Sequence, residues 1–206
     1  MRPTLETPPA APPQESGVEG NSRLTSVTGV VLLVLLAVEG LTVAAIGPLI
    51  SVHIYLGVLL VGPVLLKAAS TTYRFARFYL GAEPYVRKGP PHPVLRVLGP
   101  LLIASTLAVL GTGIGLIFTG PGHREPLLSL HKASFILWFA VMTIHVLGHA
   151  IEAGRATARE IRDRHAPRAG RRWRSAAALL SLGGGVALAS ALYPVAHAWT
   201  TGTLTH

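Results

Sequence analysis

The chain has 206 residues, of which 50% are hydrophobic and only 13% charged, against about 25% charged in ordinary soluble proteins. It has no cysteine, which excludes disulfides, zinc thiolate sites, iron–sulfur clusters and covalently attached c-type haem. The net charge of +9 comes from basic residues gathered in two loops between apolar runs, a topology signal and a contact for anionic lipids instead of a nucleic-acid footprint.

Residues 1–22 are rich in Pro, Glu, Ser and Thr and lack apolar periodicity, so a disordered tail is expected. The tail is too polar for a cleavable signal peptide of usual form. A first apolar segment runs from about Thr25 to Ile46 with a single acid, Glu39. After Gly47-Pro48 a second follows, from about Ser51 to Tyr73, with His53, Gly57, Gly62, Pro63 and Lys67. Pro63 should kink it, since proline removes a helix hydrogen bond. The basic loop 74–96 contains RKGPPHP, which cannot be regular helix.

The third segment, about Leu95 to Thr119, carries Gly111 to Gly115 as GTGIG. Small residues there let another helix, or a flat cofactor, come close. Gly120-Pro121-Gly122 breaks the chain before the fourth segment, Leu127 to Ile151. That segment is long enough to cross a bilayer and holds His131, His145 and His149. At about 100° per residue His149 shares a face with His131, and His145 sits about 40° to one side. An imidazole inside a bilayer is costly to place and marks a candidate site. The loop 154–174 is the most basic in the chain, and its first half can continue as an amphipathic helix on the membrane surface. A fifth segment covers about Ser175 to Ala196, and a short polar tail ends the chain.

The expected fold is therefore all-α: an integral membrane bundle of five transmembrane helices over residues 23–197, four of them forming a core, with an external tail at 198–206. Five crossings place the N-terminal tail, the 74–96 loop and the 154–174 loop on one side, with 15 of the 18 Lys and Arg residues. The positive-inside rule makes that side cytoplasmic, puts the C-terminus outside, and points to the plasma membrane.

Depth links the polar residues. His53 and His131 both fall within about 3–6 Å of the external ends of their segments, and Lys67 and His145 about 24–27 Å in. Both pairs are 14 residues apart, a separation that would present groups to two flat cofactors stacked across a membrane. Glu39 lies about 10–12 Å below the external face, near the depth of His131.

These residues resemble those of the transmembrane b-type cytochromes, which hold non-covalent haem between helices of a four-helix bundle with histidine pairs. The resemblance is carried by His53 with the following Gly57, by His131, His145 and His149, and by the multi-pass layout, over about residues 51–151. It implies that His53 and His131 are axial ligands of one external-side haem b. Phe135 and Trp138 would then line the macrocycle, and Arg124, Lys132 or His123 would meet its propionates. The pattern departs at the inner level, where Lys67 stands opposite His145. His145 and His149, on successive turns of one helix, cannot take opposite faces of one iron.

The residues leave other readings open. His53 and His131 can be interfacial histidines with no ligand, His145 and His149 can bond locally or bind a metal, and Lys67 can snorkel to the headgroups. No phosphate loop, HExxH or Ser/His/Asp arrangement is present. The expected function is thus a b-type haem subunit exchanging electrons with a quinone or a redox partner protein, with no catalytic domain of its own. The alternatives are a haem-free scaffold or assembly subunit and a proton- or metal-coupled transporter.

Overall fold

The computed structural model describes residues 13–87, 89, 93–162 and 171–200, and among these every regular element is a helix. Five stretches are long and apolar enough to cross a membrane: Gly20–Ala44, Ile46–Tyr79, Arg96–Thr119, Glu125–Gly148 and Arg172–Leu192. The chain is thus a multi-pass membrane protein. Val30, Leu41, Ile136, Leu147 and Leu180 are exposed on the outside of the bundle, as lipid-facing side chains must be when the surrounding solvent is itself apolar.

Helix α1 spans Pro13–Ala44. The tail expected to be disordered to residue 22 is therefore helical from Pro13 onward, while residues 1–12 lie outside the described part. Proline suits a first helical turn, where its missing N–H has no partner to lose. The chain further gains a tertiary anchor there, because the Asn21 amide donates to the Ser70 carbonyl at 3.2 Å. Composition alone does not reveal that contact.

The second crossing is made of two helices, α2 (Ile46–Leu59) and α3 (Val61–Tyr79), with a break at Leu60. Pro63 causes it: without an N–H, proline cannot bond the carbonyl four residues back, that of Leu59. Helix α4, Glu83–Arg87, follows in the first basic loop and buries Tyr85. That ring lies edge-on to Tyr73, with the Arg77 guanidinium 5.9 Å from its centre. The RKGPPHP stretch separates α4 from α5 (Pro93–Thr119), and residues 88 and 90–92 lie outside the described part. Gly120, at φ 66°, reverses the chain into a single 3-10 turn, Pro121–His123.

Helix α6 runs from Glu125 to Arg162, beyond the end of its apolar stretch and into the second basic loop. Helix α7 covers Arg171–Leu192 and a short α8 covers His197–Thr200. The Trp199 indole of α8 donates to the Leu116 carbonyl of α5 at 3.0 Å, tying the last described turn to the bundle.

Packing divides the spans into two groups. Helices α1, α2, α3 and α7 pack together, and α5 and α6 pair along their length as a hairpin. The hairpin meets the first group chiefly through α2 and α5. Within the first group, α7 crosses the α2–α3 break at very short range. A Cβ placed on Gly62 would strike the Ser181 carbonyl oxygen, and one on Gly185 the Leu59 carbonyl oxygen. Backbone meets backbone there, which only glycine allows.

Lys67 ties α3 to α1. Its ammonium donates to the Thr25 carbonyl at 2.5 Å, with Gly29 leaving the space, and the Thr25 hydroxyl bonds Ser70 at 3.1 Å. The ammonium thus has a main-chain partner on a neighbouring helix. The Thr25 carbonyl keeps its place in the α1 ladder without the lysine, so Lys67→Met orphans no polar group. Thermal unfolding in detergent should show a change within about 1 kcal/mol, since losing a charged hydrogen bond and losing a buried charge offset each other.

Candidate functional site

The two helix groups meet around His53 of α2 and His131 of α6. Both helices begin at the end of the bundle away from the basic loops, and each histidine lies within three turns of its helix start. Their ring centres are 6.4 Å apart, with the planes at 74°. The matched depths read from the sequence thus correspond to a real juxtaposition of two imidazoles from separate crossings.

Each ring is held by its Nδ1. His53 Nδ1 lies 2.9 Å from Glu39 Oε1 and 2.9 Å from the Thr42 hydroxyl, both on α1. The side chains of His53 and Glu39 are 22% and 13% exposed, so the carboxyl sits inside the bundle. The Thr42 hydroxyl has one proton, and it goes to the Glu39 main-chain oxygen at 2.6 Å. Towards His53 it can only accept, as can a carboxylate. Nδ1 of His53 is therefore the donor.

His131 follows the same logic with a different partner. Its Nδ1 is 3.0 Å from the Thr112 hydroxyl of α5, whose own proton goes to the Ala108 carbonyl at 2.7 Å. Thr112 again accepts, and His131 Nδ1 donates. Ser134 closes the cluster, donating to the His131 carbonyl at 2.9 Å. Gly113 makes the close approach possible, since a Cβ there would stand 3.1 Å from His131 Cε1. In both neutral rings the proton is on Nδ1, which leaves the lone pair on Nε2.

Thr112→Val keeps the shape and removes the hydroxyl acceptor for His131. With the Val109 carbonyl also bonded to the His131 ring, loss of the hydroxyl should lower stability by about 0.5–1.5 kcal/mol, whereas Thr112→Ser should be nearly silent. Chemical denaturation of the two variants side by side checks this.

The other residues singled out in the sequence are placed as follows. Gly57, one turn beyond His53, faces the Glu39 carboxyl: a Cβ there would lie 3.4 Å from Oε1. Trp138 is buried and donates to the Thr106 hydroxyl of α5 at 3.0 Å, with Phe135 stacked beside it at 6.0 Å. Lys67 is committed to Thr25. His145 is partly buried on α6, and the His149 side chain lies outside the described residues. Arg124 pairs with the adjacent Glu125 at 3.4 Å, at the start of α6. Among the described residues no three His, Asp or Glu side chains converge as a metal-ion site. Two imidazoles, each held at Nδ1, remain as the donor set.

Two contributors had escaped the sequence reading, Thr42 and Thr112, whereas Gly113 lies in the GTGIG run already marked for close approach. Only the fold shows which helix supplies the partner of each imidazole. The sole cue was Thr112 as the polar residue within GTGIG.

No family model, curated protein or solved structure matches this chain. Its function is read from the geometry of the site.

Proposed function

We propose that this multi-pass membrane protein is a b-type haem subunit that exchanges electrons with a quinone or a redox partner protein. The observation that carries the proposal is the pair of Nδ1-anchored imidazoles, His53 and His131, facing across the meeting of the two helix groups at 6.4 Å. Iron–imidazole nitrogen bonds are about 2 Å long. Adding the distance from each nitrogen to its ring centre puts two rings that share one iron about 6 Å apart, centre to centre. The donor set fits as well. Metal-bound histidine ordinarily donates its second N–H to a carboxylate, carbonyl or hydroxyl, and both rings do so here.

His53 and His131 would hold the group, and once bound it would supply a one-electron carrier. The chain's part is to fix both tautomers, to hold the rings through Glu39, Thr42 and Thr112, and to surround the site with apolar helix. The basic loops would face the cytoplasm in contact with anionic lipids, and the haem level would then lie towards the external face. A quinone or redox partner protein must supply or remove the electrons.

The test is colour. Protein purified after expression with ample haem should show a reduced-minus-oxidised alpha band of the b type, with one haem per chain. A colourless product overturns the proposal. One observation favours a second reading, a haem-free scaffold: the 74° angle between the rings is also the edge-to-face contact that two uncharged rings adopt directly. The same spectrum separates the two.

A further inference from the structure

The two imidazoles are not held alike, and the difference has a chemical consequence. His131 donates to a neutral hydroxyl, whereas His53 donates to a carboxyl that is buried well within the first apolar span. From this asymmetry, and resting on the haem reading above, we infer that Glu39 is a positioning residue that lowers the reduction potential of the bound haem through His53.

Glu39 is built into its place from three sides. Helix α1 brings it against α2, where Gly57 leaves room for Oε1 one turn along from His53. Thr42, three residues further on α1, shares the same Nδ1 proton at 2.9 Å and bonds the Glu39 carbonyl. The carboxyl meets His53 at 2.9 Å. The ion-pair partner of Glu39 among the described residues is His53, so charge on its carboxyl is directed to the imidazole. In a low-dielectric interior that charge is little screened.

A carboxylate on Nδ1–H draws the proton towards itself and makes Nε2 a stronger electron donor. A more basic ligand stabilises the higher iron charge, so the oxidised state gains more than the reduced one. Thr112 cannot do this for His131, since a hydroxyl oxygen carries only a partial charge. Glu39 therefore biases one ligand of the two.

The experiment is a potentiometric titration of the purified, haem-loaded full chain as wild type, Glu39→Asp and Glu39→Gln. Glutamine keeps the size and a carbonyl acceptor but removes the charge, so haem content should be retained while the midpoint potential rises. Aspartate keeps the charge at a longer distance and should fall between the two. The ferric electron paramagnetic resonance spectrum should shift in the same order, because it reports ligand basicity and not merely folding. Equal potentials in all three proteins, or the reverse order, overturn the inference while leaving the haem reading intact. Where Glu39→Gln does not load haem, the Asp variant decides: a potential and a resonance spectrum identical to wild type overturn it. A wild type without haem removes both readings together, and the blank wild-type spectrum marks that outcome.

Discussion

His131→Ala should abolish haem binding, weakening affinity by at least about 100-fold, and His53→Ala should do the same. The variants should still fold and insert, because each ring is one contact among many between its helices: α6 pairs with α5 along its length, and α2 is secured by α1 and α7. Loss of a group that merely supports a metal ligand costs roughly 10–100-fold in affinity, and loss of the ligand itself must cost more. The measurement is haem content per chain together with the reduced-minus-oxidised spectrum, on protein shown by circular dichroism to keep its helices. His145→Ala is the internal control. It sits about 21 Å further along α6, by helix rise over 14 residues, too far to reach the same iron, and should leave the band in place. An unchanged band in His131→Ala, or its loss only in His145→Ala, would assign the cofactor to other residues.

Gly185→Val should be among the most damaging substitutions in the chain. The position faces the Leu59 carbonyl on the far side of a backbone contact, and Gly62 faces the Ser181 carbonyl in the reciprocal sense. A side chain on either glycine has to displace main chain, not the flexible end of a neighbour. Overpacking in a close-packed interior costs about 1–3 kcal/mol when side chains can yield, and a rigid backbone leaves less room to relax. A loss of about 3 kcal/mol or more is expected, with α7 released from the α2–α3 break. Unfolding in detergent should show a lower midpoint, and limited proteolysis should cut first on the α7 side. Gly183→Ala, where a Cβ meets nothing within 4 Å, should be tolerated. Equal behaviour of the two variants would mean that α7 does not pack as described. The Leu59 carbonyl also bears on why the contact falls there, since Pro63 has removed its helix partner and α7 covers the defect.

The five crossings, the basic loops, the break near Pro63 and the turn at Gly120 were legible in the sequence because each follows from local chemistry. Long apolar runs have only one solvent in which they are at ease, and proline and glycine act on their own backbone. The start of α1 was less legible. Residues 13–22 have the composition of a polar tail, and the Asn21–Ser70 bond joins positions 49 apart. The partner of Lys67 was illegible for the same reason: its depth was readable, but the Thr25 carbonyl that it meets lies 42 residues away on another helix.

At the site, helix rise was enough to put His53 and His131 at one level, because depth along a membrane normal is a one-dimensional quantity set by counting residues. Whether they face each other depends on how two helices are rotated about their axes and which neighbours they choose. Those choices are set by the glycines that let α5 approach α6 and α7 approach α2, and by α1 presenting Glu39 and Thr42 to His53. The sequence by itself determined that this protein crosses a membrane five times with imidazoles in two of the crossings. Only the tertiary structure decided that the two rings meet, and that one is anchored by a carboxyl and the other by a hydroxyl. The reason is physical: hydrophobicity is additive along a chain, whereas a hydrogen bond between helices exists only when packing brings both partners within about 3 Å.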